Sequence, residues 1–371
     1  METTELRSGA FWDSEGCCAL SPPGHEGQKE AIRDALNDQE GVVFATSGSC
    51  GPPKWVMFKR SSLLASARAV NQHLKVTEDD RFMVALPLYH VGGFGVVARA
   101  YDAKCHVSAL QGRWNAREFK EAVESDHSTV ASLVPTQVHD LVKLGLEAPE
   151  SLRAVVVGGG KLNEKEGQCA RDLGWPVLQS YGMTEAGSQI ATATLASLDE
   201  PFQAVPLPIL PIWEFRTSKA GCLEFRGSAL CKYYIEKDRE ELCCRKAGDK
   251  EGWFSSSDLV QITGNQLTVN GRADRKVKIL GELVDIESLE KEVREYLDRK
   301  RAHLLAVPDS RRGARMLLVV DEDLGEVGGL LAQWNGDRPG FLRIDEVEVV
   351  ARFPRTGMGK VDVAALRKML S

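Results

Sequence analysis

Short apolar runs that alternate with helical patterns constrain the fold of this chain more than any other feature. The runs are rich in valine and largely apolar at every position, as strands buried on both faces are in a parallel sheet. We predict strands at Gly41–Ala45, Phe82–Leu86, Thr129–Val134, Ala154–Val157 and Pro176–Gln179, and helices from Ser61 or Ser62 to about Leu74, over 116–124 and over Pro135–Leu144. The sequence therefore predicts an α/β fold with a mainly parallel, helix-flanked sheet.

The amino-acid composition of the chain changes after residue 200. From about 201 to 262 it is rich in proline and in strand-forming residues, which predicts a β-barrel-like subdomain. Further on, a charged segment carries apolar residues at helical spacing and is followed by two strands. These apolar residues are Ile286, Leu289, Val293 and Leu297. We predict a large domain over 1–272 and a small, mobile α+β domain over 273–371.

The composition argues against several classes of function. The net charge is −6, so no overall basic field draws in nucleic acid or an anionic membrane. The chain lacks a basic start followed by an apolar run, and nowhere do about 18 apolar residues occur together. The nine cysteines show no repeated C-x-x-C spacing, which favours reduced thiols over zinc ligands. We predict a cytoplasmic protein that neither enters membranes nor binds nucleic acid.

A polar, glycine-bearing turn follows the first predicted strand. Its candidate residues are Thr46, Ser47, Gly48, Ser49, Gly51 and Lys54. Hydroxyls, backbone N–H groups freed by glycine and a lysine together suit the polyphosphate of a nucleotide. The turn is not a Walker A loop, because Gly48 and Gly51 do not enclose four residues. An ordinary surface turn is the alternative, since Ser, Gly and Pro are common in turns.

A second constellation, Tyr181-Gly182-Met183-Thr184-Glu185, follows a predicted strand directly. The face of Tyr181 can stack on adenine, and the hydroxyl of Thr184 can hold a phosphate. Glu185 offers Mg²⁺ the hard oxygen ligands that this ion prefers. The alternative is a strand end with a capping threonine and a solvated glutamate.

Two more candidates lie towards the end of the chain. Asp258 and Arg272 can together grip the two hydroxyls of a ribose, the acid as acceptor and the guanidinium as donor. Lys360 stands in the glycine-rich loop Phe353–Val361 and can neutralise charge that develops when a carboxylate attacks a phosphate. Taken singly, such residues are more often surface ion pairs or solvent-facing lysines.

Five ordered motifs between residues 46 and 362 match one family. They are TSGSCGPPKW, SYGMTE, WFSSSDL, GRADRKVKILGELV and PRTGMGKVD. On these motifs the chain resembles the adenylate-forming superfamily of acyl-CoA synthetases, luciferases and peptide-synthetase adenylation domains. The resemblance implies an ATP- and Mg²⁺-dependent ligase that converts a carboxylic acid to its acyl-AMP and then passes the acyl group to coenzyme A.

The resemblance also implies a role for each matching residue. Ser47, Ser49 and Lys54 would bind the pyrophosphate, and the cofactor-binding loop would also include Thr46, Gly48 and Gly51. The adenine would be bordered by Gly158, Gly159, Gly160 and Tyr181, with Gly182 as a further cofactor-binding residue. Thr184 and Glu185 would serve phosphate and Mg²⁺, and Asp258 and Arg272 would hold the ribose. Lys360 would act in adenylation alone. Asp274 would be the hinge of the small domain. Lys278 to Gly281 would then swing in to line the pantetheine tunnel during thioester formation.

Three segments narrow the resemblance within the superfamily. PLYHVGGF, VPTQ and YGMTEAGSQIAT resemble the o-succinylbenzoate–CoA ligases of menaquinone biosynthesis. By this likeness His90, Ser188 and Gln189 would lie toward the acyl pocket, and His90 would also be a catalytic candidate. A structural histidine beside an apolar strand is the alternative for His90. The alternatives for the chain are a ligase for another aryl or fatty acid and a non-catalytic adenylate-binding protein.

The chain departs from the family pattern in its N-terminal part. The phosphate loop begins at residue 46, much earlier than is usual in the family, so part of an N-terminal subdomain is expected to be absent, through natural compactness or truncation. A homodimer is one way to cover apolar surface that this would expose. Cys50, Trp55 and Arg275 replace a threonine, a small residue and an aspartate of the family motifs.

Overall fold

The computed structural model describes most of the chain. It describes residues 3–21, 29–36, 39–45, 55–238, 241–280, 282–297, 301–309, 312–321, 327–336, 338–357 and 359–370. The predicted phosphate loop, with Thr46, Ser47, Gly48, Ser49, Gly51 and Lys54, lies outside these residues, as do Gly281 and the side chains of Asp274 and Lys278.

Helices and strands alternate along much of the chain. The helices are α1 Thr3–Leu6, α2 Gly9–Trp12, α3 Lys29–Leu36, α4 Arg60–His73, α5 Val91–Asp102, α6 Ala116–Asp126, α7 Pro135–Lys143, α8 Glu164–Asp172, α9 Ile286–Tyr296, α10 Val327–Gly336 and α11 Val363–Met369. The strands are β1 Cys17–Leu20, β2 Gly41–Ala45, β3 Trp55–Phe58, β4 Arg81–Val84, β5 His106–Ala109, β6 Val130–Leu133, β7 Ala154–Val157, β8 Val177–Tyr181, β9 Ala191–Thr192, β10 Leu207–Pro208, β11 Trp213–Thr217, β12 Cys222–Gly227, β13 Tyr233–Asp238, β14 Glu241–Lys246, β15 Phe254–Thr263, β16 Gln266–Arg272, β17 Lys276–Ile279, β18 Glu282–Asp285, β19 Ala302–Asp309, β20 Gly313–Val320 and β21 Glu346–Val349.

A six-stranded sheet with the order β5-β4-β6-β7-β8-β9 is the centre of the fold. All of its neighbouring strands are parallel except β8 and β9, which are antiparallel. Alternate residues of each strand fill two cores: Phe82 and Val84 pack with α4 and α5, whereas Met83 packs on the other side with α6, α7 and α8. The predicted parallel sheet with helices on both faces is therefore confirmed.

Two five-stranded sheets adjoin this centre, and each is mainly antiparallel. One has the order β1-β2-β3-β13-β14, in which only β1 and β2 run parallel, and the other has the order β10-β16-β15-β12-β11. The second sheet confirms β structure within 201–262. It is open, because its edge strands β10 and β11 do not pair with each other among the described residues, so the barrel-like part of the prediction is wrong.

The last hundred residues build a smaller core of their own. The hairpin β17–β18 precedes α9, and β19, β20 and β21 form a three-stranded sheet. Ile286, Leu289, Val293 and Leu297, which the helical spacing singled out, are all buried in this core. The boundary between two domains at residue 272 stays a prediction.

Helix α5 is the main element that the sequence pattern missed. Its sequence begins with Val-Gly-Gly-Phe-Gly, and glycine is unfavourable within a helix. A Cβ on Gly93 would lie 2.4 Å from the carbonyl oxygen of Pro87, so this glycine permits close packing on the preceding loop. The helix is stabilised by burial of Phe94 and Val97, which outweighs the low propensity. No helix in the described ranges is long and apolar enough to cross a bilayer.

Candidate active site

The carboxyl ends of β7 and β8 form the floor of the site. Ligands of open α/β sheets bind at this edge, where the loops leave the parallel strands. The loop Gly158–Gly160 follows β7, and Tyr181 is the last residue of β8. Val157 pairs with Gln179, so the two loops emerge side by side. The structure thus brings together the glycines and the tyrosine that were assigned to adenine.

Gln179 fixes the shape of the glycine loop, and sequence reasoning missed it. Its Nε2 donates to the carbonyl oxygens of Val157 at 3.1 Å and of Gly160 at 3.0 Å. Its Oε1 accepts from the backbone N–H of Leu162 at 2.7 Å. This buried amide therefore replaces strand pairing where β7 ends. The signal was a polar residue inside a short apolar strand.

The turn that carries Thr184 and Glu185 depends on the absence of a side chain at Gly182. A Cβ on Gly182 would lie 1.7 Å from the carbonyl oxygen of Ser188. The chain between them makes a single turn of 3-10 helix, Thr184–Ala186, and returns with the N–H of Ile190 donating to the oxygen of Tyr181 at 2.8 Å. Thr184 and Glu185 are thereby held directly beyond the end of β8.

Glu185 has a fixed orientation, because Tyr234 of β13 donates a hydrogen bond of 2.6 Å to its Oε1. Burial, followed by the nearby Glu185 carboxylate, raises the pKa of Tyr234. The phenol therefore remains a donor at neutral pH. The carbonyl oxygen of Glu185 accepts from the N–H of Cys231 at 2.9 Å, which anchors the backbone of the same residue.

A single oriented carboxylate fits a Mg²⁺ ion that arrives with a nucleotide. Mg²⁺ is usually bound by one or two carboxylates together with substrate phosphates and water. Within the described part of the chain, no group of three or more His, Cys, Asp or Glu residues could hold a metal by protein ligands alone. Glu185 is thus suited to a shared ion rather than to a permanent metal centre.

Asp258 lies at the centre of the polar side chains. Its Oδ2 accepts from the hydroxyl of Tyr181 at 2.6 Å, and its Oδ1 accepts from Nη1 of Arg272 at 3.3 Å. Asp258 and Arg272 are paired residues of β15 and β16, so their side chains share one face of the hairpin. Burial, and then the Asp258 carboxylate, raise the pKa of Tyr181 well above its usual range. A largely buried carboxylate with lone pairs to spare can accept hydroxyl donors from a ligand.

Lys360 reaches the same cluster from the end of the chain. Its loop is closed by hydrogen bonds from the N–H of Thr356 to the oxygen of Lys360 at 2.8 Å, and from the N–H of Gly359 to the oxygen of Thr356 at 2.9 Å. The Lys360 side chain is open to solvent but surrounded by protein atoms on its other sides. This partial desolvation, and then the charge of Arg272, lower its pKa, while Asp258 acts in the opposite direction.

His90 is the fifth member of the cluster. It is the residue before α5, and its ring lies 4.9 Å from that of Tyr89, measured between centroids. Burial, followed by the charge of Lys360, lowers the pKa of His90 to about 4. His90 is therefore a neutral imidazole near pH 7, and not a resident cation.

A small pocket opens beside Ser188. Its walls come from α4, from α5 and from Gly187 and Ser188. Gln189 is buried instead: its Oε1 accepts from the hydroxyl of Thr192 at 2.5 Å, and its backbone oxygen accepts from Trp213. The observed contacts of Gln189 are thus hydrogen bonds within the protein.

Arg99 lines this pocket, and sequence reasoning missed it. Its side chain lies among apolar neighbours and is only 2% exposed. Nη2 donates to the hydroxyl of Ser132 at 2.9 Å, but Nε finds no hydrogen-bond acceptor among the described residues. Burial lowers the pKa of Arg99 to about 10, so the group is still charged at neutral pH. A buried guanidinium without a carboxylate partner is suited to an anionic ligand.

The comparison with protein families agrees with this geometry. The family described as "AMP-binding enzyme" matches residues 12–212, which is more than half of the 371 residues. The chain belongs to the AMP-binding enzyme family. The match covers the sheet, the glycine loop, the Tyr181 turn and α5.

The chain is also similar to individual proteins, of which two curated relatives and one solved structure are described. The 2-succinylbenzoate–CoA ligase of Enterococcus faecalis is 25% identical over 341 residues, which are 88% of this chain and 69% of the relative. The 2-succinylbenzoate–CoA ligase of Bacillus licheniformis is 31% identical over 65% of this chain, and that match spans half of the relative's length. The o-succinylbenzoate CoA synthetase of Bacillus subtilis, solved with its acyl-adenylate intermediate, superposes with a TM-score of 0.74 and 22% identity, covering 99% of this chain and 81% of that one. At that identity the structural likeness concerns the fold.

Proposed function

We propose that this protein activates a carboxylic acid as its acyl-adenylate at the expense of ATP and then transfers the acyl group to coenzyme A. In the first step a carboxylate oxygen attacks the α-phosphorus of ATP, the bond to the bridging oxygen of pyrophosphate breaks, and pyrophosphate leaves. In the second step the thiolate of coenzyme A attacks the acyl carbon, and AMP leaves with the bonding electrons. The relatives' names supply the acid: we propose o-succinylbenzoate.

One observation carries the proposal: Lys360, Arg272, Asp258 and Tyr181 converge at the carboxyl edge of the parallel sheet, although they come from distant parts of the chain. A nucleotide bound over the glycine loop would present its ribose to Asp258 and Arg272. Its α-phosphate would then meet Lys360 and the turn at Thr184. A cation fixed where negative charge develops lowers the barrier without further reorganisation.

The Mg²⁺ that accompanies ATP would neutralise charge on the leaving pyrophosphate. Glu185 is the residue we propose as its protein ligand, and the hydrogen bond from Tyr234 keeps Oε1 of that carboxylate in place. His90 directly precedes α5, and its pKa is lowered by burial and by the charge of Lys360, so the neutral ring adds no positive charge that would compete with the lysine. We propose that it positions the reacting carboxylate as a neutral donor.

The pocket beside Ser188 favours an acid with a second negative group. An isolated buried cation is costly unless an anion meets it, and Arg99 has no such partner among the described residues. o-Succinylbenzoate carries two carboxylates, so one can react at Lys360 while the other meets Arg99. A simple aryl or fatty acid would leave the guanidinium buried and unpaired.

We further propose that residues 273–371 act as a mobile domain that turns at Asp274 between the two steps. Lys360 would then serve adenylation only, and Lys278 with Gly281 would take part in thioester formation. Rotation of a small domain across a fixed site is an established way to run two half-reactions. We infer a cytoplasmic location, where ATP and coenzyme A are present, and keep a homodimer as the state to test by light scattering.

Acid-dependent exchange of labelled pyrophosphate into ATP tests the first step, and thioester formation tests the second. We expect exchange with o-succinylbenzoate and a coenzyme A thioester from the same acid, with far lower rates for benzoate and for fatty acids. Comparable rates for all acids would reject the substrate. No exchange with any acid, together with retained AMP binding, would instead identify a non-catalytic adenylate-binding protein.

A further inference from the structure

The loop that carries Lys360 rests on the large sheet domain at two glycines. A Cβ on Gly357 would lie 2.4 Å from the hydroxyl oxygen of Tyr89, 3.3 Å from Cζ and 3.4 Å from Cε2. A Cβ on Gly359 would lie 2.7 Å from Oγ1 of Thr136, in the first turn of α7. The backbone on both sides of Met358 therefore approaches these two side chains more closely than any residue with a Cβ would allow.

The two glycines differ in why they are required. Gly359 has a φ of +73°, a conformation that L residues rarely adopt, so a substitution there would be strained wherever the loop lies. Gly357 is exposed, and its φ is not in this left-handed region. The cost of an alanine at 357 would therefore arise from the contact with Tyr89, and only while the loop is docked.

Tyr89 connects this contact to the chemistry. It directly precedes His90, whose imidazole lies tilted against the Tyr89 ring, and the charge of Lys360 acts on that imidazole. A loop displaced from Tyr89 would carry Lys360, three residues further on, away from Arg272 and Asp258. Tyr89 itself needs no contact with the reacting atoms to have this effect.

We propose that Tyr89 and Gly357 form the docking point that sets the position of Lys360 for adenylation. This inference rests on the proposed function and adds Tyr89 as a positioning residue. Glycine at position 357 is then required for adenylation but not for thioester formation. Thioester formation from a supplied acyl-adenylate does not need Lys360 at this place, so it does not need the contact either.

The test uses the full chain with the variant Gly357→Ala. Forcing a methyl group into a packed contact costs at least about 1.4 kcal/mol, so exchange should fall about 10-fold or more in kcat. The KM values for ATP and for the acid should change little, and thioester formation from supplied acyl-adenylate should stay close to that of the unaltered chain. A merely structural defect would reduce both half-reactions.

A second substitution makes the test specific. Tyr89→Phe removes the oxygen at 2.4 Å and leaves ring carbons at 3.3 and 3.4 Å, a contact that small shifts can accommodate. The double variant Gly357→Ala with Tyr89→Phe should therefore recover most of the lost exchange. Gly336→Ala is the matched control, because a Cβ at that glycine of the same small domain meets nothing within 4 Å.

Trypsin cleavage in the loop after Arg355 and Lys360 measures docking without catalysis. Cleavage should be faster in Gly357→Ala and slow again in the double variant, since proteolysis follows the population of the open loop. If the unaltered chain shows no pyrophosphate exchange, but the variants show this cleavage pattern, the proposed function is rejected and the docking point is retained. Unchanged cleavage in Gly357→Ala, or a double variant no better than the single one, would overturn the docking point.

Discussion

Replacement of Arg99 by methionine should make the ligand-free protein more stable and its reaction with o-succinylbenzoate slower. Methionine is unbranched and fills irregular space between apolar side chains, so it can occupy most of the volume of the arginine stem. The pocket wall around residue 99 is largely apolar, with Val70, Phe94 and Ala98 as neighbours. The change therefore removes a buried charge without inserting a new polar group.

The size of the effect follows from the pKa of Arg99. Burial lowers it from 12.5 to about 10, and this difference corresponds to about 3 kcal/mol. Below pH 10 Arg99 is protonated in both the folded and the unfolded chain. At neutral pH the folded state therefore bears the full free-energy cost of burying this charge. The cost is relieved only as the pH rises from about 10 towards 12.5. Loss of the hydrogen bond to Ser132 offsets roughly 1.5 kcal/mol, so Arg99→Met should be stabilised by about 1–2 kcal/mol.

Thermal unfolding and acid kinetics measure the two sides of this prediction. The stabilisation should raise Tm by about 1–3 °C in a chain of this length. If Arg99 meets a carboxylate, its removal should cost about 2–3 kcal/mol of transition-state binding, a fall of roughly 30- to 150-fold in kcat/KM for the dicarboxylate. An acid without the second carboxylate should lose nothing.

Arg99→Lys is the matched control, because it keeps the charge and loses the planar guanidinium. Its kcat/KM for o-succinylbenzoate should fall less than that of the methionine variant, and its Tm should not rise. A methionine variant that unfolds earlier and still reacts normally with o-succinylbenzoate would refute the reasoning, because Arg99 would then be a structural cation.

Three further predictions concern the polar cluster. Lys360→Ala should lower acid-dependent pyrophosphate exchange by about 10²–10³-fold and largely spare thioester formation from supplied acyl-adenylate; equal loss in both assays would contradict the division of labour. Tyr234→Phe removes the hydroxyl that donates to Glu185 at 2.6 Å, so half-maximal pyrophosphate exchange should require several times more Mg²⁺. Binding of metal-free AMP, measured by calorimetry, should stay unchanged. An unaltered Mg²⁺ titration would count against Glu185 as the ligand. His90 has a lowered pKa, so its contribution to stability is lost as the pH falls from about 6.5 towards 4. At pH 4 the free energy of unfolding of His90→Gln should exceed that of the parent by roughly 1–2 kcal/mol, whereas at pH 7.5 the two should be equal. Urea titrations at both pH values measure this difference.

The elements that were predicted correctly are those whose burial is periodic or continuous. Ala154–Val157 was predicted to the residue, because four consecutive apolar residues enter a glycine loop and are buried from both sides. Helix α5 was missed, because its stability comes from tertiary packing on the sheet and not from its glycine-rich sequence. Tertiary burial outweighs propensity in such a segment, and one sequence does not reveal which surface will cover it.

The buried charge of Arg99 does leave a signal in the sequence. Val96-Val97-Ala98-Arg99-Ala100 is an apolar stretch with one charge, and a charge in such a stretch is rarely buried unless a partner or a ligand meets it. The contact between Tyr89 and Gly357 gave no comparable signal. It joins segments that are 268 residues apart in the chain, and their separation in space depends on the whole packing of the fold.

The pairing of Asp258 with Arg272 could be predicted from the sequence only in part. Both residues lie in one hairpin, so their proximity follows from sequence, but their shared face does not. Near the turn, Thr263 pairs with Gln266 and Val260 with Val269, whereas the register shifts by one residue before Leu259 meets Gly271. Without that bulge Arg272 would pair with Ser257 and point to the opposite face of the sheet from Asp258. A single extra residue in β16 thus determines whether the carboxylate and the guanidinium can grip one ligand, and Gly271, at a φ of +132°, is the residue that permits it.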